Sequence, residues 1–239
     1  MNWEAFFQVH RDLPREGPGE AADVHWALDM AGTPAGARIL DAACGPGADL
    51  VTLAEAREQA RVLGVEKQAH FVEDARRRVA KYGGRVTVDE GSYMELKGLF
   101  DLIWCAGAVY FHGIQDVLRT WGPHLAPGGA VAFSEPALIT TPATDAVRAF
   151  WEGEGEIKDQ AGIETQIRAA GWGIVGQRWV IGAPWAEYYG PMSARLDQLE
   201  ESEPSPEVAE VIVMTRREIA IWHEVRSEIA YSLFVVRPV

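Results

Sequence analysis

The sequence predicts an α/β fold, a doubly wound and mainly parallel sheet of seven strands with helices on both faces. Between residues 37 and 136, short apolar runs typical of strands alternate with longer stretches of helical spacing. Such an alternation indicates right-handed crossovers between parallel strands. Hydrophobic residues make up 48% of the 239 residues, which is enough for a substantial core and argues against wholesale disorder.

The central part of the chain accounts for five of the predicted strands, at 37–40, 61–66, 85–91, 100–107 and 130–135. The helices predicted between them lie at 49–59, 68–82 and 114–125. The last of these helices is followed by the turn-forming sequence APGG, which we expect to close it.

The segments on either side of this core are predicted to form a largely helical cap. Residues 3–32 look helical, with a break at Leu13–Gly19 where Pro and Gly cluster. Beyond Pro136 the patterns predict a short helix within 135–159, a helix ending at Gly171, a strand at 173–181, helices at 186–201 and 206–227, and a last strand at 230–238. We therefore expect one domain, composed of an N-terminal cap at 1–32, a core at 33–136, and cap helices with the last two strands at 137–239.

Charge and composition exclude several classes of partner. Lys and Arg number 22 against 35 Asp and Glu, and the net charge of −13 disfavours nucleic acid. No apolar run approaches the roughly 20 residues of a membrane span, and the first residues lack the features of a secretory signal. With only two cysteines, a disulfide framework is excluded as well. We expect a cytoplasmic protein without a membrane partner.

A glycine turn, Cys44-Gly45-Pro46-Gly47, ends the first predicted strand. Ligands of open α/β sheets bind beyond the carboxyl ends of the strands. Glycine lets the backbone approach a ligand closely, and the N-terminus of the following helix favours an anionic group. The turn therefore predicts a ligand with a small anionic part.

The spacing around the turn narrows the choice of ligand. The third glycine of the dinucleotide fingerprint is missing, because Ala48, Asp49 and Leu50 follow, and the phosphate-loop Gly-Lys-Ser/Thr is absent too. Glu66 ends the second strand 21 positions after Gly45, at the distance where a carboxylate accepts hydrogen bonds from ribose hydroxyls. S-adenosylmethionine fits both the ribose site and the anionic site.

Five segments in order then resemble the motifs of class I S-adenosylmethionine-dependent methyltransferases. They are ILDAACGPG, VLGVEKQ, DEGSYMEL, FDLIWCAGAVYF and LAPGGAVAFSEP, within residues 37–136. The resemblance implies a Rossmann-like sheet, S-adenosylmethionine as cofactor and S-adenosylhomocysteine as product. It also implies methyl transfer to an acceptor by direct in-line displacement.

The same resemblance implies which residues border the cofactor: Asp41, Cys44, Gly45, Gly47, Glu66, Lys67, Ser92, Tyr93 and Cys105. Asp41 would anchor the amino group of the methionine part. Lys67 could lie over the adenine or in solvent, and Tyr93 could cover the adenine or pack under its loop. Many relatives have Asp at the position of Ser92, where it holds the adenine amino group, so the resemblance does not define how Ser92 would contact the adenine.

The acceptor side is less specific. His112 follows the fourth strand and could be a general base, or a loop histidine bonded to backbone. Arg15 could hold an anionic acceptor or be solvated. Tyr110 also follows the fourth strand, and Trp151 belongs to a set of cap aromatics that could line an acceptor pocket or serve as large core side chains. The set is Trp3, Trp26, Trp151, Trp185, Tyr188 and Tyr189.

The function predicted is methyl transfer from S-adenosylmethionine to a small-molecule acceptor. The alternatives are a nicotinamide-dependent oxidoreductase on a similar sheet and a non-catalytic S-adenosylmethionine-binding protein. No group of residues has convincing metal-ligand spacing. The apolar stripe of 206–227 could pack on its own sheet or form a homodimer.

Cys44 and Cys105 end the first and fourth strands, which would be neighbours in the strand order 3-2-1-4-5. Buried cysteines usually behave as small apolar residues. We expect two free thiols in the native protein. An intact mass of the non-reduced protein that is two hydrogens short would contradict this.

Overall fold

The computed structural model describes residues 2–151 and 156–239, and in this part of the chain eight strands form one sheet. The strands are β1 Arg38–Ala42, β2 Arg61–Glu66, β3 Val86–Glu90, β4 Phe100–Ala106, β5 Leu125–Leu138, β6 Lys158–Asp159, β7 Trp172–Val180 and β8 Ile229–Pro238. The helices are α1 Trp3–Val9, α2 Ala21–Met30, α3 Ala48–Ala56, α4 Ala69–Val79, α5 Ile114–Trp121, α6 Asp145–Phe150, α7 Gln160–Ala169, α8 Ala183–Glu201 and α9 Pro206–Val225.

The strands are arranged in the order β3-β2-β1-β4-β5-β8-β7. The first five are parallel, whereas β8 lies antiparallel between β5 and β7. The two-residue β6 adds a parallel pairing to the end of β5. The predicted fold class and the order 3-2-1-4-5 are thus confirmed.

The start of β5 differs from the prediction. Helix α5 ends at Trp121, because Pro123 follows and the chain tightens into a 3₁₀ turn over Gly122–His124. The sequence APGG, expected to be a turn, instead belongs to β5, with Leu125 already paired to Phe100. A register shift next to Phe100 accommodates this glycine-rich start.

Two apolar layers cover the sheet, as a doubly wound fold requires. One layer contains Leu28 of α2, Leu50 of α3 and Val72 of α4. The other contains Leu118 of α5 and Ile167 of α7. Within the described residues, no helix is long and apolar enough to cross a membrane, and no group of at least three His, Cys, Asp or Glu could hold a metal ion.

A third apolar cluster joins both ends of the chain into one cap. Val9 of α1 packs with Met192 and Leu196 of α8 and with Val211 and Ile212 of α9. The stripe of α9 is therefore covered by helices of its own chain. A homodimer remains a prediction, but this part of the α9 stripe is already buried within its own chain.

The cap lies at the carboxyl edge of the parallel strands. β7 runs parallel to β5, and β8 runs in the opposite direction. The chain between Val180 and Ile229, which contains α8 and α9, therefore leaves and re-enters the sheet at that edge. The same edge carries the glycine turn after β1.

The glycine turn has a left-handed backbone. Gly45 has φ +52° and Gly47 has φ +87°, and the amide of Gly47 closes the turn by donating to the carbonyl of Cys44 at 3.0 Å. A Cβ on Gly47 would lie 3.0 Å from the Cβ of Ala75 in α4. Both the backbone angle and the close approach of α4 require glycine here.

We expect Gly47→Ala to destabilise the protein by about 2 kcal/mol, because a left-handed non-glycine residue costs roughly 1–2 kcal/mol and the methyl group would also press on Ala75. Urea denaturation measures this. Gly36→Ala is the matched control, since its added Cβ meets nothing within 4 Å and its φ lies outside the left-handed region. Equal effects of the two substitutions would contradict the strained-turn interpretation.

Candidate active site

The carboxylate of Glu66 joins the glycine turn to the end of β2. Its Oε2 accepts the amide of Gly45 at 3.0 Å, and its Oε1 accepts the amides of Lys67 and Gln68, both at 2.8 Å. The residue is only 8% exposed. A carboxylate has about four acceptor positions, so one remains, on Oε2. Glu66 and the glycine turn, whose spacing in the sequence predicts a shared site, are therefore in direct contact.

Asp41 lies at the centre of the same edge, on β1. It is 2% exposed, and its Oδ2 has no hydrogen-bond partner among the described residues. Burial, followed by the charges of Asp49 and Glu66, raises the pKa of Asp41 well above its usual range. A buried carboxyl without a partner is costly, and a bound ammonium group would supply one. The site therefore fits the amino group of a methionine-like ligand.

Arg15 is held in an ion pair. Its Nη2 donates to Oδ1 of Asp49 at 3.1 Å, and Nε1 of Trp104 donates to the other oxygen of Asp49 at 3.0 Å. Both charged side chains are largely buried. The guanidinium thus links the N-terminal cap to α3 and is not a solvated side chain.

Glu16 of the N-terminal cap reaches the glycine turn, which sequence analysis missed. Its Cγ lies 3.8 Å from the position that a Cβ on Gly45 would take. Oε2 is 2.6 Å from Nδ1 of His10, and Oε1 is buried without a partner among the described residues. Burial raises the pKa of Glu16 despite the histidine. The sequence of this segment indicates a helix break and a candidate anion-binding Arg15, but no local pattern indicates the long-range contact of Glu16.

The residues predicted near the adenine are tied into their loops. Tyr93 donates from its hydroxyl to the carbonyl of Ala108 at 2.9 Å and accepts the indole N–H of Trp121 at its own carbonyl, 2.8 Å away. Burial raises the pKa of Tyr93. Ser92 Oγ accepts the amide of Met94, and Lys67 is exposed. The hydroxyl of Tyr93 is therefore fixed to the loop that follows β4.

Both cysteines are free and buried. Burial raises the pKa of each thiol well above its usual value. Cys44 lies against β2, since a Cβ on Gly64 would meet its Sγ at 2.8 Å. Cys105 belongs to the apolar layer that contains α5. Their environments are those of small apolar residues, as expected from the sequence.

The loop after β4 carries the predicted acceptor residues. Tyr110 meets Trp151 edge-on, with 5.3 Å between ring centroids, so the structure brings these two together. His112 is exposed, and its ring lies edge-on to Tyr93 at 5.4 Å. Trp185 and Trp222, stacked at 5.5 Å, belong to the core.

Glu135 is the second residue that sequence analysis missed. It lies near the end of β5, is 9% exposed, and has an Oε2 without a partner among the described residues. Burial raises the pKa of Glu135 to about 8. The preceding Ser134 pairs with Ala106 of β4, and its Oγ is also buried without a described partner. In the sequence, the consecutive polar residues Ser134 and Glu135 at the end of an apolar strand are the pattern that indicates this position.

Comparisons with known proteins agree with this geometry. Residues 39–129 match the family model described as a methyltransferase domain. Over 103 residues the chain is 33% identical to trans-aconitate 2-methyltransferase from Deinococcus radiodurans, covering 42% of this chain and 38% of that protein. Over 111 residues it is 32% identical to the S-adenosyl-L-methionine-dependent Diels-Alderase iliD from Neonectria sp., covering 45% and 42%. The chain thus spans about two fifths of the length of these curated relatives.

A solved structure matches the whole chain. It is a methyltransferase from Geobacter sulfurreducens, crystallised with S-adenosylhomocysteine, with a TM-score of 0.87, 18% identity, and coverage of 99% of this chain and 98% of that one.

The fold is therefore that of the class I S-adenosylmethionine-dependent methyltransferases. Residues 39–129 of this chain are similar in sequence to a methyltransferase domain. The predicted fold class is confirmed, and the predicted cofactor agrees with the S-adenosylhomocysteine bound in the Geobacter sulfurreducens structure. Neither the nicotinamide-dependent alternative nor the non-catalytic one receives support from these comparisons.

The raised pKa of Glu135 predicts a pH-dependent stability. Between the ordinary value of 4.5 and about 8, the folded state keeps a proton that the unfolded state releases. The free energy of unfolding should therefore fall as pH rises through this window, by at most about 1.4 kcal/mol per pH unit, and stay level above it. Glu135→Gln removes this contribution.

Urea denaturation of both proteins from pH 5 to pH 9 measures the difference. We expect the stability of Glu135→Gln relative to wild type to increase between pH 5 and pH 8. Parallel pH profiles would mean that the Glu135 carboxylate has a partner in the folded protein.

Proposed function

We propose that the protein is an S-adenosylmethionine-dependent methyltransferase that acts on a small-molecule acceptor. The observation that carries the proposal is the contact between Glu66 and the amide of Gly45. This contact joins a carboxylate suited to ribose with a backbone turn suited to a carboxylate. Asp41, buried and without a described partner, lies beside both and suits an ammonium group.

The roles we assign follow this arrangement. The turn at Gly45 and Gly47 and the side chain of Asp41 would hold the amino-acid part of the cofactor, and the open position on Glu66 would accept from ribose. Three further residues, Lys67, Ser92 and Tyr93, would border the adenine. Cys44 and Cys105 would be apolar walls of the site.

The chemistry needs little from the protein besides position. The bound cofactor supplies a methyl group on a positively charged sulfur, whose bond electrons return to sulfur when a nucleophile takes the methyl. The protein must hold the acceptor in line and exclude water, and such positioning can contribute on the order of 7–11 kcal/mol. The cap of α1, α8 and α9 lies over the edge where this must happen. His112 remains our candidate base, to be used where an acceptor must lose a proton.

We infer a small acceptor from the charge of the protein, and a cytoplasmic location from its two free thiols. The net charge of −13 opposes nucleic acid. The Deinococcus radiodurans relative is named for trans-aconitate, an anionic compound. Arg15, the predicted anion-binding residue, is engaged with Asp49 here. We therefore do not propose trans-aconitate as the methyl acceptor of this chain.

Two measurements test the proposal. Calorimetry with S-adenosylmethionine and with NADH should show binding of the first alone. Release of S-adenosylhomocysteine from a mixture with a small-metabolite pool should then reveal turnover. A reaction that retains the cofactor, such as the cyclisation named for the Neonectria relative, would give product without S-adenosylhomocysteine.

Glu66→Ala should weaken S-adenosylmethionine binding by at least about 1 kcal/mol, because it removes a charged hydrogen-bond acceptor for ribose. Since three backbone amides also lose their partner, we expect some loss of stability, which thermal denaturation records separately. Glu90→Ala is the matched control: Glu90 pairs in register with Glu66 on β3 but is exposed. Unchanged affinity in folded Glu66→Ala would show that the ribose assignment is wrong.

A further inference from the structure

Glu135 has no role in the cofactor site described above, although it is costly to the fold. Transfer of a carboxyl group to a buried position without a hydrogen bond is unfavourable. An apolar residue at the same place in β5 would avoid this cost. The surrounding strand is otherwise apolar up to Phe133. A buried carboxyl in this situation indicates a ligand that supplies the missing partner.

The described neighbours of Glu135 supply neither a positive charge nor a hydrogen bond. Cys105 and Tyr93 lie within electrostatic range, and burial raises the pKa of both, which keeps them neutral. Ser232 faces Glu135 across the β5–β8 pairing and accepts from the side-chain amide of Gln160 at 2.9 Å, but it makes no hydrogen bond to Oε2 of Glu135. The missing partner is therefore a cation or a strong donor from outside these residues.

Glu135 lies at the edge of the sheet where the parallel strands end, next to the loop after β4. Ser134 pairs with Ala106, so Glu135 is level with Gly107, the first residue of the loop after β4. A Cβ on Gly107 would lie 3.0 Å from the ring of Tyr231, which itself pairs with Pro136. β4 borders β1, the strand that ends in the glycine turn. Glu135 thus lies at the carboxyl edge on β5, and β5 is separated from β1 only by β4.

Aromatic and acidic side chains also lie close to one another around α8. Tyr188 of α8 lies within electrostatic range of Tyr110, Tyr231, Glu16 and Glu218. Aromatic faces and carboxylates both attract cations, and both disfavour anions. These side chains therefore favour a positively charged molecule over an anion.

We propose that Glu135 binds the methyl acceptor and that the acceptor is an amine. This inference rests on the proposed function and names the substrate class of that site. The amine arrives as an ammonium ion and pairs with the ionised carboxylate. One proton then moves from nitrogen to Oε2 of Glu135, which leaves the nitrogen lone pair free to act as nucleophile. Charge is conserved, because an ion pair becomes a neutral amine and a neutral carboxylic acid.

Binding experiments test this without turnover. Wild-type protein saturated with S-adenosylhomocysteine is titrated by calorimetry with two isosteric sets: phenethylamine, phenethyl alcohol and 3-phenylpropionate, then butylamine, butanol and butyrate. In at least one set, we expect the amine to bind at least about tenfold more tightly than the alcohol or acid, owing to a charge-assisted bond. No preference for the amine in either set would overturn the proposal.

Variants assign the preference to Glu135. Glu135→Gln should lose the preference for the amine and keep its affinity for S-adenosylhomocysteine and S-adenosylmethionine. Glu90→Gln, the same change at an exposed position of the carboxyl edge, should keep both. A Glu135→Gln protein that retains the amine preference, or that loses S-adenosylmethionine affinity instead, overturns the proposal; in the second case Glu135 would serve the cofactor.

A wild-type measurement replaces the variant if Glu135→Gln does not fold. At pH 7, binding an ammonium ion should release about one proton, since Glu135 is mostly protonated when free. Calorimetry in two buffers of different ionisation enthalpy counts this proton, and the release should vanish at pH 9. Amine binding without proton release at pH 7 overturns the proposal. Failure to bind S-adenosylhomocysteine at all would instead refute the proposed function, and this inference with it.

Discussion

The site depends on one carboxylate that organises three backbone amides. Glu66 holds the turn after β1 through Gly45 and the start of α4 through Lys67 and Gln68. Backbone amides at such a turn would otherwise lack partners, which is costly in a buried position. The same residue therefore shapes the bend and keeps one acceptor position, the one we propose for ribose.

The N-terminal cap contacts the same glycine turn and the helix that follows it. Glu16 packs on Gly45, and Arg15 is paired with Asp49, which also accepts from the indole of Trp104. Two adjacent residues of one irregular segment thus fix the cap to the turn and to the first helix after it. Arg15 contacts a carboxylate and Glu16 contacts a backbone turn, so neither contact is made with an apolar surface.

Sequence patterns predicted most of the fold because each strand and helix has its own local signal. β2 was predicted with its observed bounds, and α8 and α9 to within a few residues. The start of β5 was missed because APGG has the composition of a turn, and only pairing with β4 makes it a strand. Glycine spacing also predicted Glu66, because the strand and helix lengths of the crossover fix that distance.

Glu16 and Glu135 escaped prediction for a physical reason. Both are distant in sequence from the turn, and only tertiary packing reveals their burial. An exposed glutamate and a buried one look the same in a sequence. Their importance becomes visible when a buried oxygen is found without a partner.

The position of β8 has a consequence for how the protein is made. This strand lies inside the sheet, between β5 and β7, although it comes last along the chain. During synthesis, β7 has no neighbour in the sheet until residues 229–238 leave the ribosome. The helices of the cap emerge before the strand that anchors their far end. The cleft is consequently completed only after translation has passed β8, so a nascent chain that stops before it has no finished site to fill.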